Sequence, residues 1–527
     1  MTRSSSTARR ISASFALVLA VALSACSGSG SGEPSTSGGA SADGPVLDTG
    51  ELTLGFTAPA AQLDPHKERP QERAYLYPIF DRLFQVTSDL KIEPMLAESY
   101  KTSADGLTVT LGLRSGVTFH DGSPMDAKAV VTSLERAKEL TGSTVASLLT
   151  NVSSVTAAGD STVTLKLKKP DSALDARLAT FAGAVVNPAA LQGDQLDAKA
   201  TNAGSGPYRV TEFKPNESVT YAPAEEPWQD ETGLLKKLTI TAIPQSSARM
   251  AALRSGAVDA VILKQDQKTE ATEIASKGQY VLRTYDSPLH YALLLQTDRS
   301  EFSNPKVRQA MSHAIDRATI SEQLLNGDCT PTSQPWPTGM LGHDDALTDA
   351  YPFDTAKAKS LLAEAGLPKG FSFDAYVNNG LSPQTEIAQV LQAELKEVGI
   401  TMNITPKESV EATTEFRAGN VDAYVHVVNG ESDPSLTIDN YLTGGMGLAA
   451  EDSGLKQLAD EGVAPKADRE AKYQEISKLH SEQQWYLPIC HQPTMWLFPQ
   501  SVTGDEPLAM AWSGVFDPRY LAQTETP

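Results

Sequence analysis

Eight histidines, His66, His120, His290, His313, His343, His426, His480 and His491, stand singly along the chain. None belongs to a His-Glu-x-x-His pattern and no helix pairs carboxylates at ligand spacing, so no metal site is expected. There is no Gly-x-Ser-x-Gly elbow and no Gly-Lys-Ser/Thr phosphate loop, although neither absence is decisive, and no catalytic residue or cofactor is assigned. The chain instead offers aromatic contact surface. Tyr75, Tyr77, Tyr291, Trp336 (in Gln334-Pro335-Trp336-Pro337) and Trp496 present rigid rings suited to stacking on a peptide, sugar or chelate. Of these, Tyr75, Tyr291 and Trp336 are candidate ligand contacts.

The chain that must position these groups has 527 residues, 40% of them hydrophobic and 21% charged. That is an ordinary globular profile and about three times a common domain of about 150 residues. Lys and Arg total 44 against 65 Asp and Glu, a formal charge of −21. So acidic a surface, with no basic stripe, repels phosphate backbones and excludes nucleic acid as a partner. Three cysteines cannot build a disulfide scaffold, so an ordinary core must hold the fold.

Arg3, Arg9 and Arg10 precede an apolar, small-residue run from Ile11 to Ala25, the plan of a secretory signal. The run is shorter than the roughly 20 residues of a spanning helix. It ends in Leu23-Ser24-Ala25-Cys26, which resembles a bacterial lipobox, so Cys26 is the expected lipidation site, with residues 1–25 removed. Loss of the three arginines would take the charge from −21 to −24. Residues 26–47, rich in Ser and Gly, read as a flexible tether. The expected location is therefore outside the cytoplasm, held at the membrane face by acyl chains.

Beyond the tether, Gly50–Phe56 alternates as a strand does, and Leu96–Arg114 reads as a hairpin turning at Asp105-Gly106. Asp126 can cap a helix that carries Val130, Val131, Leu134 and Ala137 on one side. Further strands are expected at Val163–Leu167, Tyr208–Phe213 and Lys237–Ile243. From Asn304 to Leu325 the pattern is helical, with a bend near Asp316. Helix and strand then alternate: a helix capped by Asp354 and stopped by Gly366, a strand at Phe371–Val377, a helix at Glu386–Val398, a strand at Ile400–Ile404. This rhythm indicates an α/β fold with a partly parallel sheet.

Six segments in fixed order carry a family resemblance. They are Phe80-Asp81-Arg82-Leu83, Glu93–Ser99, Leu113–Gly122, Gly204-Ser205-Gly206-Pro207-Tyr208, Leu253–Asp259, and Val307–Ala310 through Ala314–Arg317. Over about Gly50–Pro499 the chain resembles the peptide/nickel-type extracellular solute-binding proteins of ABC transporters, which include oligopeptide and dipeptide binders. The resemblance implies a two-lobed, hinge-connected α/β fold of the periplasmic-binding-protein type II class. Lobe one would comprise 48–80, 204–297 and 487–527, with 81–203 as a subdomain inserted in it; lobe two would be 298–486. It implies hinge closure on a small solute and delivery to a permease and ATPase, by a monomer that is not an enzyme. The motifs themselves read mostly as scaffold.

In peptide binders of this family a Trp-rich stretch ending Asp-Tyr-x-Asp-Pro supplies an aspartate for the peptide's amine. The matching stretch here is Val427-Val428-Asn429-Gly430-Glu431-Ser432-Asp433-Pro434. Gly430 stands where that aspartate is expected and Val427 where a Trp would be. Glu431 could substitute, so Asn429, Glu431 and Asp433 join the candidate ligand-binding set, and His426 adjoins it. The ligand classes left open are peptide, modified peptide, oligosaccharide and metal–chelate, with a non-transport sensor or an exported hydrolase as rival readings. Cys329 and Cys490 face an oxidising exterior in which a disulfide is allowed, and bonding them would staple lobe two near the hinge.

Overall fold

The computed structural model describes residues 46–525, except 48, 88, 89, 194, 197, 198, 380, 450, 466 and 505–516. The signal segment, Cys26 and most of the tether lie outside the described residues.

The first lobe is built on a seven-stranded sheet. Its strand order is Tyr208–Lys214, Ser218–Pro223, Lys237–Ala242, Glu51–Phe56, Ala260–Leu263, Thr494–Pro499, Tyr280–Tyr285. Glu51–Phe56 runs parallel to both of its neighbours, with Leu52, Leu54 and Phe56 facing the core. The insertion carries a four-stranded antiparallel sheet, Ala97–Thr102, Thr108–Leu113, Thr162–Leu167 and Val152–Ala158. Its first hairpin turns at Gly106, whose φ of 73° is left-handed and favours glycine. Asp126 accepts from Ala129 N at 2.9 Å and starts the helix Ala127–Glu139. Val130, Leu134 and Ala137 of that helix join one continuous core with Leu52, Val109 and Leu165, so lobe and insertion are packed as one body.

The second lobe is built on six strands in the order Thr330–Pro331, Tyr486–His491, His290–Leu295, Ala423–Val428, Ser372–Asn378, Thr401–Lys407. The last three are mutually parallel. All six residues of His290–Leu295 are buried: Leu293 and Leu295 join one core cluster and Ala292 and Leu294 another, as the period of two requires. The helical stretch after Asn304 is broken where a bend is expected. Pro305–His313 ends, and Asp316 caps a new turn by accepting from Thr319 N at 3.0 Å. Arg308 turns away from Asp316 and donates through Nε to Gln483 O at 2.7 Å.

The lobe borders differ from those expected. His290–Leu295 and Tyr486–His491 belong to the second sheet, so the chain crosses at 286–289 and again at 492–493, rather than near 298 and 487. Both strands are apolar on two faces, a pattern that does not reveal which sheet a strand joins.

Candidate functional site

The two crossings run side by side, with Gln492 N donating to Leu289 O at 2.9 Å. Beside them Pro288 contributes to the wall of a cavity of about 590 Å³, within the range of small-molecule sites. Arg73 and Tyr77 of the first lobe, Arg82 and Glu93 of the insertion, and Glu431 and Ser432 of the second lobe converge on it. Glu231, Asp517, Leu234 and Tyr520 add further wall. Across the cleft from the insertion, Arg177 Nη1 lies 2.9 Å from Asp439 Oδ2, Lys169 Nζ lies 2.5 Å from Asp460 Oδ1, and Ser172 N donates to Val463 O at 2.9 Å. The lobes therefore touch.

The cavity mixes charge with rings. Arg73 donates to Glu68 Oε1 through Nε at 3.0 Å and Nη2 at 2.6 Å. Burial disfavours its charge, yet the Glu68 and Glu431 carboxylates outweigh that, and its pKa lies above the usual arginine value. Arg82 lies over the Tyr77 ring, 4.4 Å from its centroid, and Tyr77 in turn stacks on Phe181 at 5.0 Å. Burial raises the Tyr77 phenol even though Arg82 and Arg73 pull the other way. Asp81, next to Arg82 in sequence, has a different role: fully buried, it accepts from Arg519 Nη1 at 2.6 Å, Ser205 Oγ at 2.9 Å and Trp228 Nε1 at 2.8 Å.

Of the six expected ligand contacts, the structure places only Glu431 on the cavity wall. Tyr75 is core: it packs edge-on against Phe56 at 5.9 Å and its hydroxyl donates to Ala58 O at 2.7 Å. Tyr291 is buried in the second sheet, its hydroxyl donating to Gln265 Oε1 at 3.3 Å. Trp336 is 1% exposed and packs in the second lobe's core beside Tyr473, because its Pro-rich loop folds inward. Asn429 meets Tyr441 through its backbone N–H at 2.9 Å. Asp433 caps the turn at Pro434–Thr437 by accepting from Ser435 N at 3.0 Å, and binds Arg469 Nη2 at 2.9 and 2.7 Å. It is a structural carboxylate. His426 sits on strand Ala423–Val428 against Tyr424, and burial lowers its pKa to about 4.

Gly430, where the resemblance leads one to expect an aspartate, has no room for a side chain. A Cβ at Gly430 would lie 2.3 Å from Pro288 O and 2.4 Å from Pro288 Cβ, so the crossing segment occupies the space a side chain would need. Arg73, Arg82, Glu93 and Glu231 were not singled out by the sequence reading. Arg82 and Glu93 sit inside motifs read as scaffold, where Asp81 and Glu98 also carry charge, so no local signal sets them apart. Cys329 and Cys490 are bonded, with Cα atoms 5.4 Å apart, at the edge pairing of Thr330–Pro331 with Tyr486–His491. Among the described residues, no helix is long and apolar enough to cross a membrane.

The profile of the bacterial extracellular solute-binding proteins, family 5 (middle region), matches residues 91–447. The glutathione-binding protein GsiB of Salmonella paratyphi A is 29% identical over 376 residues, 70% of this chain and 72% of that protein. Among solved structures, the PBP AgaA of A. tumefaciens R10, in complex with agropinic acid, superposes with a TM-score of 0.78 at 25% identity, covering 91% of this chain and 99% of AgaA. DppA from Helicobacter pylori, in complex with the peptide STSA, gives 0.78 at 22% identity over 90% of this chain and 98% of its own. The matched profile spans most of the folded chain and both lobes take the corresponding fold: this protein belongs to the bacterial extracellular solute-binding proteins, family 5.

Proposed function

We infer that this chain captures a short peptide or peptide-like solute between its lobes and delivers it to the permease and ATPase of an ABC importer. One observation carries the reading: the interlobe cavity is lined by two arginines, Arg73 and Arg82, and four carboxylates, Glu93, Glu231, Glu431 and Asp517, alongside the Tyr77 and Tyr520 rings. Such a wall suits a solute that bears both an acid and an amine, with apolar parts between them. The glutathione and peptide ligands named for the relatives are of this kind. The amine is assigned to the carboxylate side, with Glu431 as its nearest counterpart to the family aspartate. Closure about the paired crossings buries the solute, and the closed lobes form the surface the permease reads. Diacylation of Cys26 would hold the protein at the membrane.

The test is to purify the chain without its first 26 residues and identify by native mass spectrometry the small molecule that accompanies it. Titration with glutathione and with tri- and tetrapeptides then follows by calorimetry. A peptide-like ligand, weakened by Glu431→Gln, is expected. A sugar ligand, or chemical turnover of a bound peptide, would refute the reading. Palmitate labelling lost in Cys26→Ser is expected for the anchor; labelling that survives the substitution rejects it.

A further inference from the structure

The two cavity arginines are satisfied unequally. Arg73 is gripped by Glu68 and sustained by Glu431. Arg82 is 5% exposed, its guanidinium held by the Tyr77 ring and, at 5.7 Å, by Phe181. Its Nη2 lies 3.6 Å from Asp517 Oδ2, too far for a hydrogen bond, and that oxygen already accepts from Arg519 Nε at 2.8 Å. Arg82 Nε and Nη1 have no acceptor among the described residues. A buried guanidinium with open donors is unfavourable until an acceptor arrives, and its planar array matches the two oxygens of a carboxylate.

We propose that Arg82 is the anchor for a ligand carboxylate in this cavity, which makes an acid-bearing solute the ligand class. This rests on reading the cavity as the solute site. The Tyr77 ring, 4.4 Å from the guanidinium carbon, holds the donors in place, so the carboxylate meets a positioned group. The four carboxylates of the wall disfavour a purely anionic guest, so the same ligand carries a compensating amine.

The test titrates the chain from Ser27 onward, as wild type, Arg82→Gln and Arg82→Lys, with three probe pairs by calorimetry. The pairs are glutathione and its diethyl ester, trialanine and trialanine amide, and 5-aminovaleric acid and its amide, the last containing no peptide bond between residues. At least one acid is expected to bind wild type about tenfold more tightly than its blocked partner, a preference that Arg82→Gln abolishes and Arg82→Lys reduces. Equal binding of acid and blocked forms, a preference that survives in Arg82→Gln, or no binding of any acid overturns the proposal. Should Arg82→Gln fail to fold by circular dichroism, the acid-to-blocked ratio of Arg82→Lys against wild type decides, an unchanged ratio overturning the proposal. If only the aminovaleric pair behaves as expected, Arg82 stands and the peptide reading falls. If the peptides bind whether blocked or not, the peptide reading stands and Arg82 falls.

Discussion

Arg177 joins the two halves of the molecule: its Nε holds Asp171 within the insertion at 3.0 Å while its Nη1 reaches Asp439 of the second lobe at 2.9 Å. Asp439 is about half exposed, so the cross-cleft pair contributes only about 0.5–1 kcal/mol. A two-lobed clamp poised between open and closed is sensitive to amounts of that size. Asp439→Asn is expected to shift the ligand-free protein towards the open form, seen as a larger radius of gyration in X-ray scattering, and to weaken ligand binding by a factor of about 2–5. Scattering curves that superpose for variant and wild type would remove this pair from the closing mechanism.

Gly430 abuts Pro288 where the second lobe meets the crossing. Even a methyl group there must displace backbone, so Gly430→Ala is expected to cost about 1–3 kcal/mol, read as a lower midpoint in chemical unfolding. Gly430→Asp, which adds a larger side chain at the same contact, should be worse and should not improve the binding of amine-bearing ligands. A stable Gly430→Asp variant that binds more tightly would contradict the packing described.

Acid should weaken the fold through its buried histidines. Burial lowers His290 to about 4 and His480 to about 3, with Arg308 and His290 reinforcing the effect at His480. His66 is likewise lowered to about 4, first by burial and then by Arg136. Each is neutral in the fold but takes a proton in the unfolded chain, so the stability it confers is complete above about pH 6.5 and is lost as pH falls towards 4. Each contributes on the order of 3 kcal/mol to that loss. Glu394, which burial raises to about 7, works in the opposite sense, as do Glu72, Asp175 and Asp439, each raised first by burial, but the fully buried histidines, with His426 and His491 lowered in the same way, outweigh them. Thermal midpoints between pH 7.5 and 4.5 should fall with acid, and less steeply in His480→Phe. A flat profile would contradict the assignment of these rings as buried and neutral.

The Cys329–Cys490 bond closes a loop spanning 161 residues. Constraining so long a loop in the unfolded chain stabilises the fold by about 2–5 kcal/mol. Reduction, or the double change Cys329→Ser with Cys490→Ser, is expected to lower the urea midpoint by the corresponding amount. Solute affinity should change little, since neither cysteine lines the cavity. An unchanged midpoint would show that the bond does not constrain the unfolded chain.

Local elements were legible in the sequence because their signals are local. Asp126, Asp354 and Gly366 mark helix ends by capping and by positive φ, and Asp105-Gly106 marks its hairpin. The lobe borders were not, because a strand such as His290–Leu295 is equally apolar whichever sheet receives it. The site was less legible still. Trp336 looks like a loop-borne contact in sequence but is drawn into the core, whereas Arg82 looks like scaffold but lines the cavity. Whether a charged or aromatic side chain faces the cleft or the interior depends on contacts made by residues hundreds of positions away. Arg519 against Asp81 is one such contact.

The placement of Thr494–Pro499 between Ala260–Leu263 and Tyr280–Tyr285, and of Tyr486–His491 between Thr330–Pro331 and His290–Leu295, governs the order of events at the chain's birth. Neither sheet can finish until nearly 500 residues have been delivered, because an interior strand of each comes from the far end. A chain made from its amino end thus stays unable to complete its final shape until synthesis is almost finished. Truncation anywhere before Tyr486 leaves both sheets split rather than one lobe whole.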